Sequence, residues 1–143
     1  MVLHEVDAAN WQACAAIRPA LDQERFVAPV VWYLCLCHYE GVWHPLAIID
    51  GGEVIGHVMW GLDPDDGSYW IGGLVIAADR QRRGHGRAAV TSLIERLREQ
   101  GAMEAAISYH ADNAHARALY LSLGFRETGE QSEGEVVARL GLR

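Results

Sequence analysis

The sequence predicts an α/β fold, with a single domain over residues 1–143 and a mixed central β-sheet flanked by helices. Three observations lead to this prediction. A chain of 143 residues has the length of one domain. Its composition, 50% hydrophobic and 22% charged, is that of an ordinary globular protein. Short β-rich runs also alternate with helical stretches, in the order strand, helices, four strands interrupted by two helices, and a final β segment.

The N-terminal part of the chain contains one predicted strand and three helical segments. Alternating apolar and polar residues at positions 2–7 predict the strand. Asn10 is a candidate N-cap for a helix over residues 11–17, and residues 21–26 form a second helical stretch. The apolar run at residues 28–40 has no clear period, and we interpret it as a helix that leads into a loop.

The middle of the chain predicts three strands. Residues 45–62 contain two β-rich runs joined by the turn Asp50-Gly51-Gly52, which indicates a hairpin. A turn at residues 63–67 leads to the third strand at residues 68–77. Because paired glycines weaken a strand, Gly72-Gly73 indicates a bulge or the close approach of another backbone.

The C-terminal part predicts two helices separated by a strand, and then a hairpin. Apolar residues at 89–97 follow helical spacing until a glycine ends the helix, and residues 103–109 form the next strand. Asn113 is the predicted N-cap of the second helix, whose inner face includes Tyr120 and which ends at Gly124. The closing hairpin is formed by residues 125–131 and 135–142.

Charge and composition exclude several classes of function. With 19 acidic and 12 basic residues the formal net charge is −7, which argues against nucleic acid as a partner, because phosphate binding needs a broad basic face. No run approaches the roughly 18 consecutive apolar residues of a membrane span, so we expect no membrane partner. The first residues lack the pattern of a signal peptide. Three cysteines without Cys-x-x-Cys spacing indicate reduced thiols, no metal site and a cytoplasmic protein.

The most informative segment is the loop at residues 79–87, DRQRRGHGR. All twelve basic residues of the chain are arginine, and four of them lie here within eight positions. Gly84 and Gly86 let the backbone approach a ligand closely and direct free N–H groups outward. The following helix adds its positive N-terminal end. The loop is therefore a predicted phosphate cradle that suits a pyrophosphate.

Three other interpretations of the same loop have to be compared with the phosphate cradle. Residues 84–89 formally fit the dinucleotide fingerprint G-x-G-x-x-A, so a dinucleotide-binding reductase is one alternative. Polar residues separate these glycines from the preceding strand, however, and the next strand ends in Ser108-Tyr109-His110 without the expected acid. A Walker P-loop does not fit, because the chain has no Gly-Lys-Ser/Thr. The remaining alternative is a solvated arginine-rich turn.

Two motifs resemble the GNAT family of N-acetyltransferases. Gln81-x-x-Gly84-x-Gly86, preceded by the strand GLVIA, resembles the loop with which that family binds the pyrophosphate of acetyl-CoA. The segment NAHARALYLSLGF at residues 113–125 resembles the family's N-x-x-A-x-x-L-Y-x-x-x-G-F helix. The resemblance extends from about Ala47 to the C-terminus and implies a single GNAT-like domain.

This resemblance implies an N-acetyltransferase that moves an acetyl group from acetyl-CoA to a primary amine by direct attack in a ternary complex, without a metal. Leu74, Val75 and Ile76 are implied to pair with the pantetheine arm. Asn113 and Tyr120 are implied to lie near the thioester, with Tyr120 as the catalytic acid that protonates the leaving thiolate. GNAT domains often form dimers, so a homodimer is a candidate assembly, while the sequence leaves the oligomeric state open. The loop residues implied in acetyl-CoA binding are Gln81, Arg82, Arg83, Gly84, His85, Gly86, Arg87 and Ala88.

A narrower resemblance, to the spermine/spermidine acetyltransferase branch, rests on NWQAC, DQERFVAP, YWI and the ending TGEQSEGEVVARLGL. It implies a small cationic amine such as a polyamine as the acceptor, which the acidic surface would attract. The branch carries an acid in its central strand after YWI, where this chain has Gly72. That difference leaves the general base and the polyamine specificity open.

A general base or an ordered water chain is needed, because deprotonating a lysine-like amine at neutral pH costs roughly 4–5 kcal/mol. His57 and Glu135 are favoured as the base because they lie within predicted strands, and together with Glu24 they are the predicted contacts of the amine. Each candidate also has an ordinary interpretation, as a surface charge or a satisfied polar group. The full set of candidate bases is Glu24, Glu40, His57, His110 and Glu135.

Two further questions stay open at the level of sequence. Five aromatic residues are candidates either for lining an amine cleft or for the core: Trp32, Tyr33, Tyr39, Trp43 and Trp60. The absence of the branch's strand acid keeps a second class of function open, a non-catalytic sensor that binds acyl-CoA. Acetylation of peptide N-termini or of an amine antibiotic is a third alternative.

Overall fold

The computed structural model describes residues 1–143, which form one seven-stranded sheet with four α-helices. The strands are β1 (Val2–Glu5), β2 (Trp43–Asp50), β3 (Glu53–Leu62), β4 (Tyr69–Ile76), β5 (Glu104–Tyr109), β6 (Arg126–Ser132) and β7 (Glu135–Gly141). The helices are α1 (Trp11–Ala15), α2 (Val30–Glu40), α3 (His85–Glu99) and α4 (Ala114–Ser122). Two 3₁₀ helices lie at Leu21–Phe26 and Ala78–Arg80. None of the helices combines the length and the apolar character required to cross a bilayer.

The strand order across the sheet is β1-β2-β3-β4-β5-β7-β6. Neighbouring strands are antiparallel except β4 and β5, which are parallel. Parallel neighbours need a crossover connection, and α3 provides it. The predicted α/β fold, a mixed central sheet flanked by helices, is confirmed.

Helices cover both faces of the sheet. Because α3 is amphipathic, it buries one stripe against the sheet and leaves its charged side to solvent. On the other face, Cys14 of α1 and Val30 of α2 pack in a smaller cluster with Ala47 and Val75. The stripe of α3 that belongs to the main core consists of Ala89, Val90, Leu93, Ile94 and Leu97.

The N-terminal part differs from the sequence prediction in two ways. The first strand ends at Glu5, and the Asn10 side chain donates to the Glu5 carbonyl instead of capping α1. The helical stretch predicted at residues 21–26 is confirmed as a 3₁₀ helix. Helix α2 continues through Glu40 and ends at Gly41, whose φ of +71° is the left-handed conformation that ends many helices, and residues 41–42 form the short loop that leads into β2.

Strand β4 contains one residue more than the stretch of β3 that it faces. The pairs Met59–Gly72 and His57–Val75 leave one residue of β3 opposite two residues of β4. Gly73 is the first of those two and has a φ of +61°, a conformation that glycine adopts without steric cost. The bulge predicted at Gly72-Gly73 is therefore confirmed.

The bulge lies where β4 and β5 separate. These two strands pair only at three positions, from Tyr69 with Ala105 to Ile71 with Ile107. Over residues 72–76 the edge of β4 that faces β5 has no strand partner, while its other edge remains paired with β3. A gap bordered by unpaired backbone groups therefore opens in the middle of the sheet.

Replacing Gly73 with alanine tests the bulge. A Cβ at this position would lie 3.1 Å from Cε1 of His57 and 3.3 Å from the Met59 side chain, and its φ would be strained. We expect Gly73→Ala to lower the free energy of unfolding by about 1–3 kcal/mol. Gly72→Ala is the matched control, because its Cβ would make ordinary contact, 3.4 Å from Met59 Cε. Equal stability of the two variants in urea denaturation would contradict the bulge at Gly73.

Candidate active site

Two cavities meet in the gap between β4 and β5. The larger, of about 770 Å³, contains the carboxylates of Glu40, Asp63, Glu133 and Glu135, and we call it the acidic cleft. The smaller, of about 460 Å³, is lined by β4, α4 and loop residues 80–87, and we call it the loop cavity. Six residues line both cavities and mark their junction: Phe26, Val27, Leu74, Asn113, Ala116 and Tyr120.

The loop before α3 presents a run of unpaired backbone N–H groups. None of the N–H groups of residues 82–87 donates to an acceptor within the chain, and the first that does is Ala88, which bonds to the Gly84 carbonyl at 3.0 Å. Together with the positive end of the α3 dipole, these groups form an anion site. The α3 helix itself uses the Ala88 N–H, so the predicted contact of Ala88 with acetyl-CoA is not supported; neither Ala88 nor Arg83 lines the cavity.

The two glycines of the loop have different roles. Gly84 immediately precedes α3 with a φ of +79°, so its backbone conformation favours glycine. Gly86 has no such φ, but a Cβ there would lie 3.8 Å from side-chain atoms of Leu74 and Leu119 on the wall of the loop cavity. Gly84 therefore shapes the loop, whereas Gly86 keeps the cavity open.

The arginines give the loop cavity a positive charge. Arg80 forms an ion pair with Glu53, and Arg87 donates to the Ser122 hydroxyl, so Arg87 keeps its net charge. Arg82 is exposed beside the cavity and has no acidic partner. Since these three arginines line the cavity and no carboxylate does, the cavity favours an anion.

The Gln81 side chain anchors the loop to two neighbouring elements of the protein. Its side-chain Nε2 donates to the Ile76 carbonyl and to Gln23 Oε1, both at 2.9 Å. The amide thereby connects the loop to the end of β4 and to the 3₁₀ helix that ends at Phe26. Because both of its N–H donors are used in this way, the Gln81 amide positions the loop rather than offering donors to a phosphate.

The free edge of β4 forms another wall of the loop cavity. Leu74, Val75 and Ile76 all line it. Their backbone groups on the β5 side have no strand partner, as described above. An extended chain with amide groups can pair with such an edge, as an added strand does.

Helix α4 carries Tyr120 to the junction of the two cavities. The predicted N-cap of this helix is confirmed, because Asn113 Oδ1 accepts a hydrogen bond from the Ala116 N–H at 3.2 Å. Asn113 also lines both cavities. The cap therefore fixes the start of the helix at the site itself.

The Tyr120 side chain is buried among aromatic rings. Its ring stacks on Tyr109 with centroids 5.8 Å apart and meets Phe125 edge to face at 5.7 Å. Burial raises the pKa of Tyr120 well above its ordinary value, and the nearby Tyr109 and Tyr33 raise it further. The Tyr120 hydroxyl therefore keeps its proton at neutral pH.

Glu135 and Ser108 lie on neighbouring strands in the acidic cleft. Ser108 Oγ donates to Glu135 Oε1 at 2.9 Å, which holds the half-buried carboxylate in place. Burial raises the pKa of Tyr33, and the negative charge of Glu135 adds to that effect. Tyr33 therefore interacts electrostatically with Glu135 on one side and with Tyr120 on the other.

The structure places two of the remaining candidate bases in the acidic cleft and two outside both cavities. Glu40 and His110 line the acidic cleft with Glu135. Glu24 is exposed on the 3₁₀ helix and lines neither cavity, so its predicted contact with the amine is not supported. His57 is fully buried and also lines neither cavity, because its alternating position in β3 turns it into the protein, where Nδ1 donates to the Gly73 carbonyl.

The aromatic residues that line the acidic cleft include Trp32, Tyr33, Trp43 and Trp70. Three of them, Trp32, Tyr33 and Trp43, are among the sequence candidates. Trp60 instead packs against His44 and Tyr69, and Tyr39 is exposed, so neither of these two residues lines the cleft. Trp70 also lines the cleft, and sequence reasoning missed it. The signal was present, since Trp70 lies two residues before Gly72 and therefore on the same face of β4.

Comparison with known proteins identifies the family. The acetyltransferase (GNAT) family matches residues 7–125, which is most of the chain and includes the N-terminal part where the sequence resemblance was narrower. The chain therefore belongs to the GNAT family of acetyl-CoA-dependent N-acetyltransferases.

A curated relative and two solved structures are similar to the chain. The [ribosomal protein bS18]-alanine N-acetyltransferase of Escherichia coli K12 is 43% identical over 54 residues, which cover 38% of this chain and only 36% of the relative's length. The solved ribosomal-protein-S18-alanine N-acetyltransferase from Escherichia coli has a TM-score of 0.75 at 20% identity, covering 99% of this chain and 93% of that one. A GNAT acetyltransferase from Elizabethkingia anophelis with acetyl-CoA bound has a TM-score of 0.71 at 14% identity, covering 98% and 97%.

The solved structures and the curated relative support different conclusions about this chain. At identities of 20% and 14%, the solved structures support the fold alone. The curated relative is named for an alanine acceptor on a ribosomal protein rather than for a polyamine. The resemblance to the polyamine branch therefore stays a prediction.

Substitution of Gly86 tests the loop cavity. The branched side chain of Gly86→Val would extend from the wall near Leu74 and Leu119 into the space of the cavity. We expect the KM for acetyl-CoA to rise by about tenfold or more, a loss of roughly 1.4 kcal/mol of binding, with a much smaller change in the KM for the amine. Gly86→Ala, whose Cβ makes only ordinary contacts, is the control. Equal increases in both KM values would mean that Gly86 has only a structural role.

Proposed function

We propose that the protein transfers the acetyl group of acetyl-CoA to a cationic primary amine bound in the acidic cleft. One observation carries this proposal, the separation of charge between the two cavities. Arg80, Arg82 and Arg87 line the loop cavity without a carboxylate, whereas the acidic cleft has four carboxylates and no arginine. An anionic donor and a cationic acceptor would be attracted to opposite sides of one junction, at Tyr120.

The donor half of the proposal is supported by the loop cavity. The unpaired N–H groups of residues 82–87 and the neighbouring guanidinium groups suit a pyrophosphate. The unpaired edge of β4 at residues 74–76 offers peptide groups to the amides of a pantetheine arm. An arm that follows this edge towards the bulge brings its thioester to Tyr120.

The acceptor half is supported by the chemistry of the acidic cleft. Four carboxylates attract an ammonium group, and the faces of Trp32 and Trp43 suit cation–π contact, whereas one face of Trp70 is already covered by the Arg139 guanidinium. A second positive charge on the amine would find a second carboxylate in the same cleft. These features favour a small polycation such as a polyamine over a neutral amine.

Glu135 is the residue that best fits the general base. Its carboxylate faces the cleft and is held by Ser108, which leaves Oε2 free to accept a proton. A lysine-like amine with a pKa of about 10.4 needs this assistance at neutral pH. The carboxylate takes the proton of the ammonium, directly or through a water, as the nitrogen attacks the thioester carbonyl.

Tyr120 fits the acid of the second half of the reaction. The new C–N bond replaces the C–S bond of the thioester, and the departing thiolate takes the Tyr120 hydroxyl proton. The nitrogen loses its second proton as it becomes the amide, and that proton restores the Tyr120 hydroxyl, directly or through solvent. Burial raises the pKa of Tyr120, and the same surroundings raise the basicity of a thiolate formed beside it. The Tyr120 proton is thereby transferred to the thiolate, which leaves as the neutral thiol of CoA.

Direct attack on the thioester agrees with the placement of the cysteines, because none of the three lines the acidic cleft or the loop cavity. Burial raises the pKa of Cys14 to about 12 and that of Cys37 to about 11, so both are thiols at neutral pH. Cys35 is exposed on α2. An acetyl-cysteine intermediate is not part of the proposal.

The N-terminal α-amine of a protein is a second candidate acceptor. It is favoured by the curated relative, whose name specifies an alanine acceptor on ribosomal protein bS18. An α-amine has a pKa of about 7.7–8.0, so its deprotonation at pH 7 costs only about 1 kcal/mol and requires less of a base. The two candidates therefore differ in how strongly turnover depends on Glu135.

Tyr120→Phe tests the catalytic acid. Removing the hydroxyl should lower kcat by about 100-fold or more while leaving the KM for acetyl-CoA nearly unchanged, because general acid catalysis contributes that much. Tyr109→Phe is the matched control, since its ring is equally buried and stacks on Tyr120. If Tyr120→Phe retains wild-type kcat in an assay of thiol release, Tyr120 is only a core residue.

An amine panel tests the acceptor. With release of CoA thiol as the readout, we expect spermidine and diamines to be acetylated and their KM to increase with salt, since exposed attraction is screened beyond about 10 Å at 0.1 M. Turnover of an alanine-terminated peptide but not of spermidine would favour the second candidate. Binding of acetyl-CoA without turnover of any amine would mean a non-catalytic sensor.

A charge-matched pair of variants separates local attraction from net charge. Asp63→Asn removes a carboxylate from the acidic cleft, and Glu99→Gln removes an exposed one at the end of α3. We expect the first variant to raise the spermidine KM by up to about fivefold, because an exposed ion pair contributes at most about 1 kcal/mol, and the second to leave it unchanged. Equal effects would mean that the acidity only provides solubility.

A further inference from the structure

His57 contacts two walls of the site without lining either cavity. It is fully buried in the middle of β3. Its Nδ1 donates to the carbonyl of Gly73, in the bulge of β4, at 2.7 Å. On its other side the ring stacks on Tyr33 of α2, with centroids 5.7 Å apart and planes within 8° of parallel. Since Gly73 and Tyr33 both line the acidic cleft, His57 connects the bulge to the amine wall.

The hydrogen bond defines the state of the imidazole. A carbonyl oxygen can only accept, so Nδ1 carries the proton and Nε2 carries the lone pair. Nε2 is buried and has no partner. Burial lowers the pKa of His57 to about 4, although the bond to Gly73 opposes this shift. At physiological pH the side chain is therefore a neutral, fixed donor, which suits a positioning role and not that of a base.

The bond acts at the position that determines the shape of β4. An extra residue in a strand displaces one peptide group from the regular ladder, and a partly buried carbonyl displaced in this way is stabilised by another donor. Gly73 is that extra residue, and the free edge of β4 starts directly after it. Met59 packs against Gly73 as well, but its side chain offers no donor.

We propose that His57 is a positioning residue for acetyl-CoA, which fixes the Gly73 carbonyl and so sets the direction of the β4 edge along which the donor binds. This inference rests on the proposed function of that edge. The stack on Tyr33 holds the ring in the orientation that the bond requires. Loss of the donor then affects acetyl-CoA first, because the edge at residues 74–76 changes direction, whereas most walls of the acidic cleft belong to elements other than β4.

Two variants separate the donor from the ring. His57→Phe keeps a flat ring against Tyr33 and removes the donor, whereas His57→Asn places an amide nitrogen near the position of Nδ1 and removes the ring. Val58→Ala is the control for general destabilisation, because Val58 is fully buried next to His57 in the main core. Calorimetric titration of the full chain with CoA is combined with the KM values of acetyl-CoA and spermidine.

We expect His57→Phe to weaken CoA binding by about tenfold or more, His57→Asn to restore it to within about threefold, and Val58→Ala to lower Tm with little effect on CoA. The spermidine KM should change much less than the acetyl-CoA KM in His57→Phe. Wild-type affinity for CoA in His57→Phe overturns the inference. So do equal changes in both KM values.

A measurement on the wild-type protein covers the case in which His57→Phe does not fold. The ¹⁵N NMR signals of the imidazole distinguish a proton on Nδ1 from one on Nε2, and a proton on Nε2 overturns the inference. The wild-type titration separates this test from the parent proposal. If wild-type protein neither binds CoA nor releases thiol with any amine, the proposed function itself fails, whereas normal wild-type binding with unaffected variants rejects only the role of His57.

Discussion

Strand β4 contains one residue more than the stretch of β3 that it faces, and from this bulge onward its backbone is paired on one edge only. The pairing with β3 is kept, and the pairing with β5 ends after three positions. Both cavities lie along the resulting gap, and Tyr120 reaches it from α4. The left-handed φ of Gly73 and the donor of His57 make this interruption of the sheet sterically and electrostatically tolerable.

The gap has an electrostatic direction as well as a shape. Guanidinium groups and free N–H groups gather on the side of α3, and carboxylates and aromatic faces gather on the side of α2 and β7. Although the net charge of the chain is −7, the two sides of the gap carry opposite charges, which gives the gap a local dipole. The two sides are also connected, since the Gln81 amide binds both the end of β4 and the 3₁₀ helix whose Phe26 lies at the junction.

Sequence reasoning succeeded where the structure is decided by neighbouring residues. The bulge at Gly72-Gly73, the cap at Asn113 and the mixed sheet all follow from local patterns. It failed where the position of a side chain depends on elements that are distant in the sequence. His57 and Trp70 both lie in strands, and alternation alone does not say which face of each strand meets a cavity. Glu24 was judged by its charge, although the 3₁₀ turn leaves its side chain in solvent.

The composition of the loop has a consequence for the chemical durability of the protein. Every basic residue in it is an arginine, as are all twelve in the chain. A guanidinium group stays protonated at any physiological pH, so it binds a phosphate without offering a nucleophilic nitrogen. A lysine amine in the same place would be open to acetylation by acetyl-CoA from solution, which removes the positive charge. The arginines of the loop therefore keep their charge in the presence of an acylating reagent.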